Sequence, residues 1–362
     1  MTSGAFPFEA NPNPVDAADR AARLVDPGFG RVFTDHMVTI RYSDAKGWHD
    51  AKVGPRAPLT LDPATAVLHY AQEIFEGLKA YRLADGSMAL FRPEQNARRF
   101  QRSAKRLAMP ELPEEMFLQA CRQLVQVDKD WFPPVDGGSI YLRPFMIASE
   151  VFLGVKPSAE YLFMVIASSA GNYFKSGAPA ISIWVSEQYT RAARGGTGAA
   201  KCGGNYAASL VAQSEAIREG CDQVVFLDAA EHRWVEELGG MNLFFLFDDG
   251  SLLTPPADGT ILEGITRDSV LTLARAQGLN VREERYAMDQ WRADAESGRL
   301  VEVFACGTAA VVTPVGTVKS TQGAFTIGAG GAGQMTQQIR TKLVDIQRGA
   351  AADTHGWVQR ID

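Results

Sequence analysis

Residues 195–210 read GGTGAAKCGGNYAASL, and the rest of the chain is best understood outward from them. One lysine, Lys201, stands among glycines, alanines and a cysteine, directly before an apolar helical run. Lysine is strongly hydrated and belongs on polar faces. Its small neighbours have two readings: a flexible surface loop with an incidental charge, or a backbone packed closely around a lysine in a partly dry place. In the second case lost hydration makes the amine a usable nucleophile toward a carbonyl.

The flanking sequence predicts strands and helices in mixture. Strand-like runs lie at RVFTDHMVTIRY (31–42), SMALFRP (87–93), SIYLRPFMIAS (139–149) and YLFMVIAS (161–168). They are rich in β-branched and aromatic residues and bounded by turn formers. EQNARRFQRSAKRL (94–107) and PEEMFLQACRQLVQVDKDW (113–131) carry apolar residues at three- and four-residue spacing, so they predict helices. Beyond residue 180 the pattern continues with ISIWVSE, the helix ASLVAQSEAIREG closed by Gly220, and a hairpin around DDGS (248–251). A helix at ITRDSVLTLARAQG and two strands in LVEVFACGTAAVVTPVGTVKS follow, with a helix at the end. The fold class is α/β (α+β). Its expected domains are 1–170, with a loosely ordered arm over 1–28, and 181–362. The glycine- and proline-bearing segment 171–180 reads as the linker.

Composition bounds the function. The 362 residues are 46% hydrophobic and 22% charged, enough apolar material for two cores. The formal charge of −6 argues against general nucleic-acid affinity, which needs a basic surface. Four cysteines without a CxxC pair fit a reducing cytosol, and five histidines show no metal-ligand spacing. The N-terminus has neither the basic region nor the apolar core of a signal peptide, and no apolar run is long enough to span a membrane. These features predict a soluble cytoplasmic protein.

Several side chains could carry chemistry. Tyr206, five residues after the lysine, is either a packed aromatic or a hydroxyl ligand for a phenolic oxygen. In VEELGGMN (235–242) the adjacent Glu236 and Glu237 face opposite ways on a strand. They are either exposed turn charges, or one of them is an inward anion for a ring nitrogen. LEGITRDS sets Gly264, Ile265 and Thr266 at a helix start, where backbone N–H groups favour an anion; Thr266 or Asp268 can equally be a plain cap. Gly307, Thr308 and Ala309 form either an anion-binding nest or an ordinary hairpin turn. The run Arg98, Arg99, Arg102, Lys105, Arg106 is a solvated basic face, or one of its members reaches a phosphate. Arg143, inside the apolar strand YLRPF, needs a partner: a structural carboxylate or that of a substrate. Neither a Rossmann nor a P-loop signature is present.

Taken together and in order, LHYAQEIFEGLKAYR, FRPEQNARRFQRSAKRL, VDKDW, YLRP, KCGGNY, EELGGMN, LEGITRDS and GTAAVVTPV make the chain resemble the branched-chain amino-acid aminotransferases. These are class IV pyridoxal-phosphate enzymes of fold type IV, and the resemblance runs from about residue 28 to the C-terminal helix. It implies a smaller N-terminal α/β domain and a larger C-terminal domain with a barrel-like sheet.

The resemblance also implies roles. Lys201 would be joined to pyridoxal 5′-phosphate and act as the catalytic base. Glu237 would pair with the ring nitrogen and Tyr206 with the phenolic oxygen. Leu262 would pack on the ring. Arg99, Gly264, Ile265, Thr266 and Thr308 would hold the phosphate. Phe29, Tyr70, Phe75, Tyr141 and Tyr173 would wall an aliphatic pocket, with Gly240 beside it. Arg143 would receive the distal carboxylate of glutamate, and the amides of Ala309 and Ala310 the α-carboxylate.

Branched-chain amino acids, glutamate and their 2-oxo acids are the implied substrates, and a homodimer the implied assembly. Two departures stand out: Ala310 and Thr313 occupy the places of a redox CxxC found in some animal members, and Gly240 replaces a threonine. The alternatives of the same fold are a D-amino-acid aminotransferase and an aminodeoxychorismate lyase. The non-enzymatic alternative is a small-anion binding protein.

Overall fold

The computed structural model describes residues 4–135, 137–171 and 180–361. By contacts the chain divides into two compact units. The first contains Met1–Lys175, Ala200–Gly203 and Ile346–Asp362, and the second Ser176–Ala199 and Gly204–Asp345. The expected boundary differs in two places. The four residues around Lys201 group with the first unit, and so does the C-terminus, which the sequence reading assigned to the second domain.

The first unit is built on an eight-stranded antiparallel sheet. Its centre is the pair Ser139–Ala148 and Glu160–Ala170, joined over ten register positions. On one face the helices Pro93–Arg106 and Glu114–Val127 bury Phe100, Ala104, Phe117 and Leu124 against Ile140, Leu142 and Phe163. Fully burying such a side chain contributes roughly 1.5–3 kcal/mol, so this layer fixes where the first helix sits. The strand Val358–Ile361 pairs with Met88–Phe91 and brings the C-terminus back to this sheet. The expected loose arm contains the helix Ala17–Leu24. Its N-cap, Asp16, accepts from the N–H groups of Ala18 and Asp19, a capping signal the Pro/Asn-rich composition obscured.

The second unit holds a nine-stranded sheet, six strands of which close into a barrel. The ring runs Val235–Leu238, Gln223–Leu227, Ile181–Ser186, Val311–Ser320, Leu300–Gly307, Asn242–Phe247 and back to Val235–Leu238. The last pairing, Glu237 with Asn242, shuts it. The all-buried strand Asn242–Phe247, NLFFLF, has apolar residues on both faces, as a barrel wall covered by helices requires. The barrel-like second sheet and the mixed α/β class expected from sequence are both present.

Candidate active site

In the first unit the helix Pro93–Arg106 sorts its charges by face. Arg102, Lys105 and Arg106 are exposed, and Arg98 makes a surface ion pair with Glu114. Asn96, Arg99 and Ser103, spaced i, i+3 and i+7, form a buried polar stripe. Arg99 grips Glu76 through two parallel bonds, Nε to Oε1 at 2.7 Å and Nη2 to Oε2 at 2.8 Å. Asn96 Nδ2 donates to Glu76 Oε2 at 2.8 Å, and the Gly77 N–H donates to the same oxygen at 3.1 Å. Burial pushes the Glu76 carboxyl up, but the Arg99 guanidinium outweighs it and holds Glu76 below the usual range, with the Lys201 charge helping. Glu76 was not among the residues expected at the site from sequence. Its signal was a carboxylate inside an apolar run.

Lys201 sits above an aromatic ring. Its Nζ lies 4.9 Å from the Phe75 centroid, and the Arg143 guanidinium lies 4.7 Å from the same ring. Arg143 Nη2 donates to the Tyr141 hydroxyl at 3.1 Å, while its buried Nε has no partner among the described residues. Among the described residues no carboxylate comes within ion-pair distance of Arg143. Phe29, flanked by Gly28 and Gly30 at positive φ, meets the Tyr141 ring edge-on at 4.8 Å. Phe29, Phe33, Tyr141, Arg143 and Ile166 line a cavity of about 170 Å³. Gly77 is required beside it, because any Cβ there would collide with the Tyr141 hydroxyl.

Tyr70 does not join this group. It is 39% exposed, and its hydroxyl donates to the Leu153 carbonyl. Tyr173 lies outside the described residues, as does most of the expected linker.

In the second unit Glu237 is 2% exposed and surrounded by donors. Arg191 Nη1 stands at 2.8 Å, the Leu262 N–H at 3.0 Å and Asn242 Nδ2 at 3.3 Å. Strand alternation sends Glu236 the other way, to the Thr260 hydroxyl at 2.6 Å. A larger cavity of about 460 Å³ is lined by Glu236, Arg194, Trp234 and Arg285, and none of the expected site residues borders it.

The helix Ile265–Ala276 begins after Gly264 with no side-chain cap, so neither Thr266 nor Asp268 is its N-cap. A Cβ at Gly264 would collide with the Asn242 amide oxygen, which ties this helix start to Glu237's neighbour. Thr308, Ala309 and Ala310 form a three-residue hairpin turn between paired Gly307 and Val311. Val311 holds φ +64°, an uncommon and strained conformation for a β-branched residue. At Gly240 a Cβ would make only ordinary contact, 3.7 Å, with the Tyr206 ring. Space therefore does not force glycine at that position. Arg191 and Asn242 were not singled out in the sequence; an arginine in an otherwise small-residue segment was the available clue.

The model of the family described as amino-transferase class IV matches residues 73–318. A probable branched-chain-amino-acid aminotransferase of Streptomyces coelicolor is 58% identical over 362 residues, 100% of both chains. The branched-chain-amino-acid aminotransferase of Mycolicibacterium smegmatis is 56% identical over 368 residues, again 100% of both. Among solved structures, the Escherichia coli branched-chain amino acid aminotransferase aligns with TM-score 0.73 at 29% identity, covering 91% of this chain and 99% of that one. The branched-chain amino acid aminotransferase of Thermobaculum terrenum, in its PLP form, aligns with TM-score 0.71 at 26% identity, covering 89% and 98%.

Proposed function

The chain belongs to the class IV aminotransferases, and from that membership we propose how its own residues perform the reaction. It is a pyridoxal-phosphate-dependent transaminase that converts branched-chain L-amino acids and 2-oxoglutarate to branched-chain 2-oxo acids and L-glutamate. The residues present fit the cofactor. Glu237 is a buried carboxylate fixed by three donors, suited to a cationic ring nitrogen, and the helix start at Gly264 has no side-chain cap, suited to a phosphate. Pyridoxal phosphate, when bound, supplies the electron sink that loosens the substrate α-hydrogen.

Each residue then has a task. Glu237 would hold a proton on the ring nitrogen, oriented by its ion pair with Arg191. Tyr206 would bond the phenolic oxygen, and Leu262 would pack on the ring. Arg99, oriented by Glu76, would hold the phosphate, as would Gly264, Ile265, Thr266 and Thr308. Lys201 Nζ takes the α-proton and later returns it, acting first as base and then as acid. The amides of Ala309 and Ala310 hold the α-carboxylate.

The observation that carries the substrate reading is the shared Phe75 ring, with Lys201 on it and, beside it, Arg143, which has no carboxylate within ion-pair distance among the described residues. Phe29, Phe75 and Tyr141 bury an aliphatic side chain, and Arg143 pairs with a distal carboxylate. One pocket thus takes both substrates in turn, and the kinetics are ping-pong.

Exposed Leu68, Val151, Leu153 and Val155 support a homodimer. Among the described residues no helix is long and apolar enough to cross a membrane, in keeping with a cytoplasmic enzyme. The test is a steady-state panel of L-leucine, L-isoleucine, L-valine and D-alanine, each with 2-oxoglutarate. Parallel-line kinetics with the three L-substrates are expected; preference for D-alanine would overturn the reading.

A further inference from the structure

The segment Ala200–Gly203 is fastened from several sides by residues remote in sequence. The Lys201 N–H donates to Ser103 Oγ at 2.9 Å, and the Lys201 carbonyl accepts from the Phe75 N–H at 2.9 Å. The Gly203 N–H donates to the Glu73 carboxylate. Ala200 and Cys202, on either side of the lysine, are buried in the first unit's core.

Two of these contacts are side-chain choices. Ser103 is fully buried at the end of the polar stripe begun by Asn96 and Arg99, next to Phe100 and Ala104, where alanine would favour the helix more. A hydroxyl placed there costs free energy unless it is bonded, and the Lys201 N–H supplies the bond. Glu73 likewise brings a carboxylate to the edge of the core, where burial pushes its carboxyl up despite the Gly203 N–H and the Arg143 charge. Neither residue has a role in the chemistry assigned above.

We propose that Ser103 and Glu73 are positioning residues, side-chain acceptors that hold the main chain still on both sides of Lys201. The amine then reaches its working positions by side-chain rotation alone. The inference rests on the reading of Lys201 as the cofactor-bearing lysine. Proton transfer demands that Nζ return to one place at each half-reaction. Misplacement by about 1 Å can cost on the order of a hundredfold in rate, so a clamped main chain has a direct kinetic consequence.

The experiment compares Ser103→Ala and Glu73→Leu with the conservative Ser103→Thr and Glu73→Gln, which keep an acceptor oxygen. For the holoenzyme with L-leucine, the first two should lose on the order of tenfold or more in kcat, with altered visible circular dichroism of the bound cofactor. The conservative pair should recover most of both. In the cofactor-free chain, hydrogen exchange of the peptide spanning 200–204 should quicken in Ser103→Ala and Glu73→Leu and stay slow in the conservative variants. Unchanged kcat and dichroism, or exchange that quickens uniformly across the first unit, overturns the proposal. Borohydride reduction followed by peptide mass analysis tests the underlying reading separately. A cofactor label away from Lys201 defeats the lysine assignment, while the exchange data still report on the clamp.

Discussion

Arg191 and Glu237 meet at 2.8 Å with both side chains sealed almost completely from solvent. Breaking a buried pair from one side leaves a charge without compensation, at a cost of roughly 3–5 kcal/mol. Arg191→Met should therefore lower the urea midpoint sharply and weaken cofactor retention. The double replacement Arg191→Met/Glu237→Gln should regain much of the stability without regaining activity. Equal stability of the single and double variants would count against a coupled pair.

Lys201→Ala should abolish turnover and the absorbance of the lysine-bound cofactor. Transamination at a normal rate by this variant would remove the basis of the mechanism.

Arg143→Ala separates the two substrates. A hydrogen bond to a charged group is worth about 1.5–3 kcal/mol, so kcat/KM for glutamate should fall on the order of ten- to a hundredfold. The loss with isoleucine should be smaller, since an aliphatic chain needs only the Phe29, Phe75 and Tyr141 walls. Equal losses for both amino acids would make Arg143 structural.

Glu76 links the site to acid stability. Its folded carboxyl is held below the reference value of 4.5 by Arg99, against the upward push of burial. The sign follows from linkage: this contribution is full above pH 4.5 and disappears as pH falls through the lower, folded value. Glu76→Gln should lower stability at neutral pH and flatten the acid limb of the unfolding curve. A variant whose acid limb stays as steep as the parent's would refute this account.

All four cysteines are free and buried. Burial pushes the Cys306 thiol up to about 12, with Arg267 opposing and Glu237 adding. Since the thiolate is the reactive form, iodoacetamide at mildly alkaline pH should label the native protein slowly, and dilute peroxide should leave activity intact. Rapid labelling of Cys306 would contradict the burial argument, and peroxide inactivation would show redox control without a CxxC pair.

The sequence made the long elements readable because their periodicity is strong. Val32–Ser43, Pro93–Arg106 and Ile265–Ala276 fall within a residue or two of their expected limits. Short strands such as Glu73–Phe75 and Val235–Leu238 have too few residues for a period, and their ladders, not their composition, define them. The same holds at the site. The motifs name Lys201, Glu237 and Arg143, but nothing local reveals that Glu76 holds Arg99 or that Ser103 meets Lys201. Those contacts join residues 23 and 98 positions apart. Whether a polar residue on an amphipathic helix faces water or an interior partner is a property of the packed structure.

The barrel closes through the register pair Glu237–Asn242, and the Asn242 amide also donates to the Glu237 carboxylate. The seam of the ring and the candidate partner of the cofactor are thus one residue. A ligand that binds Glu237 only in the closed barrel stabilises that barrel by mass action. On the proposed role of Glu237, bound cofactor therefore stabilises the closed ring as well as serving the reaction.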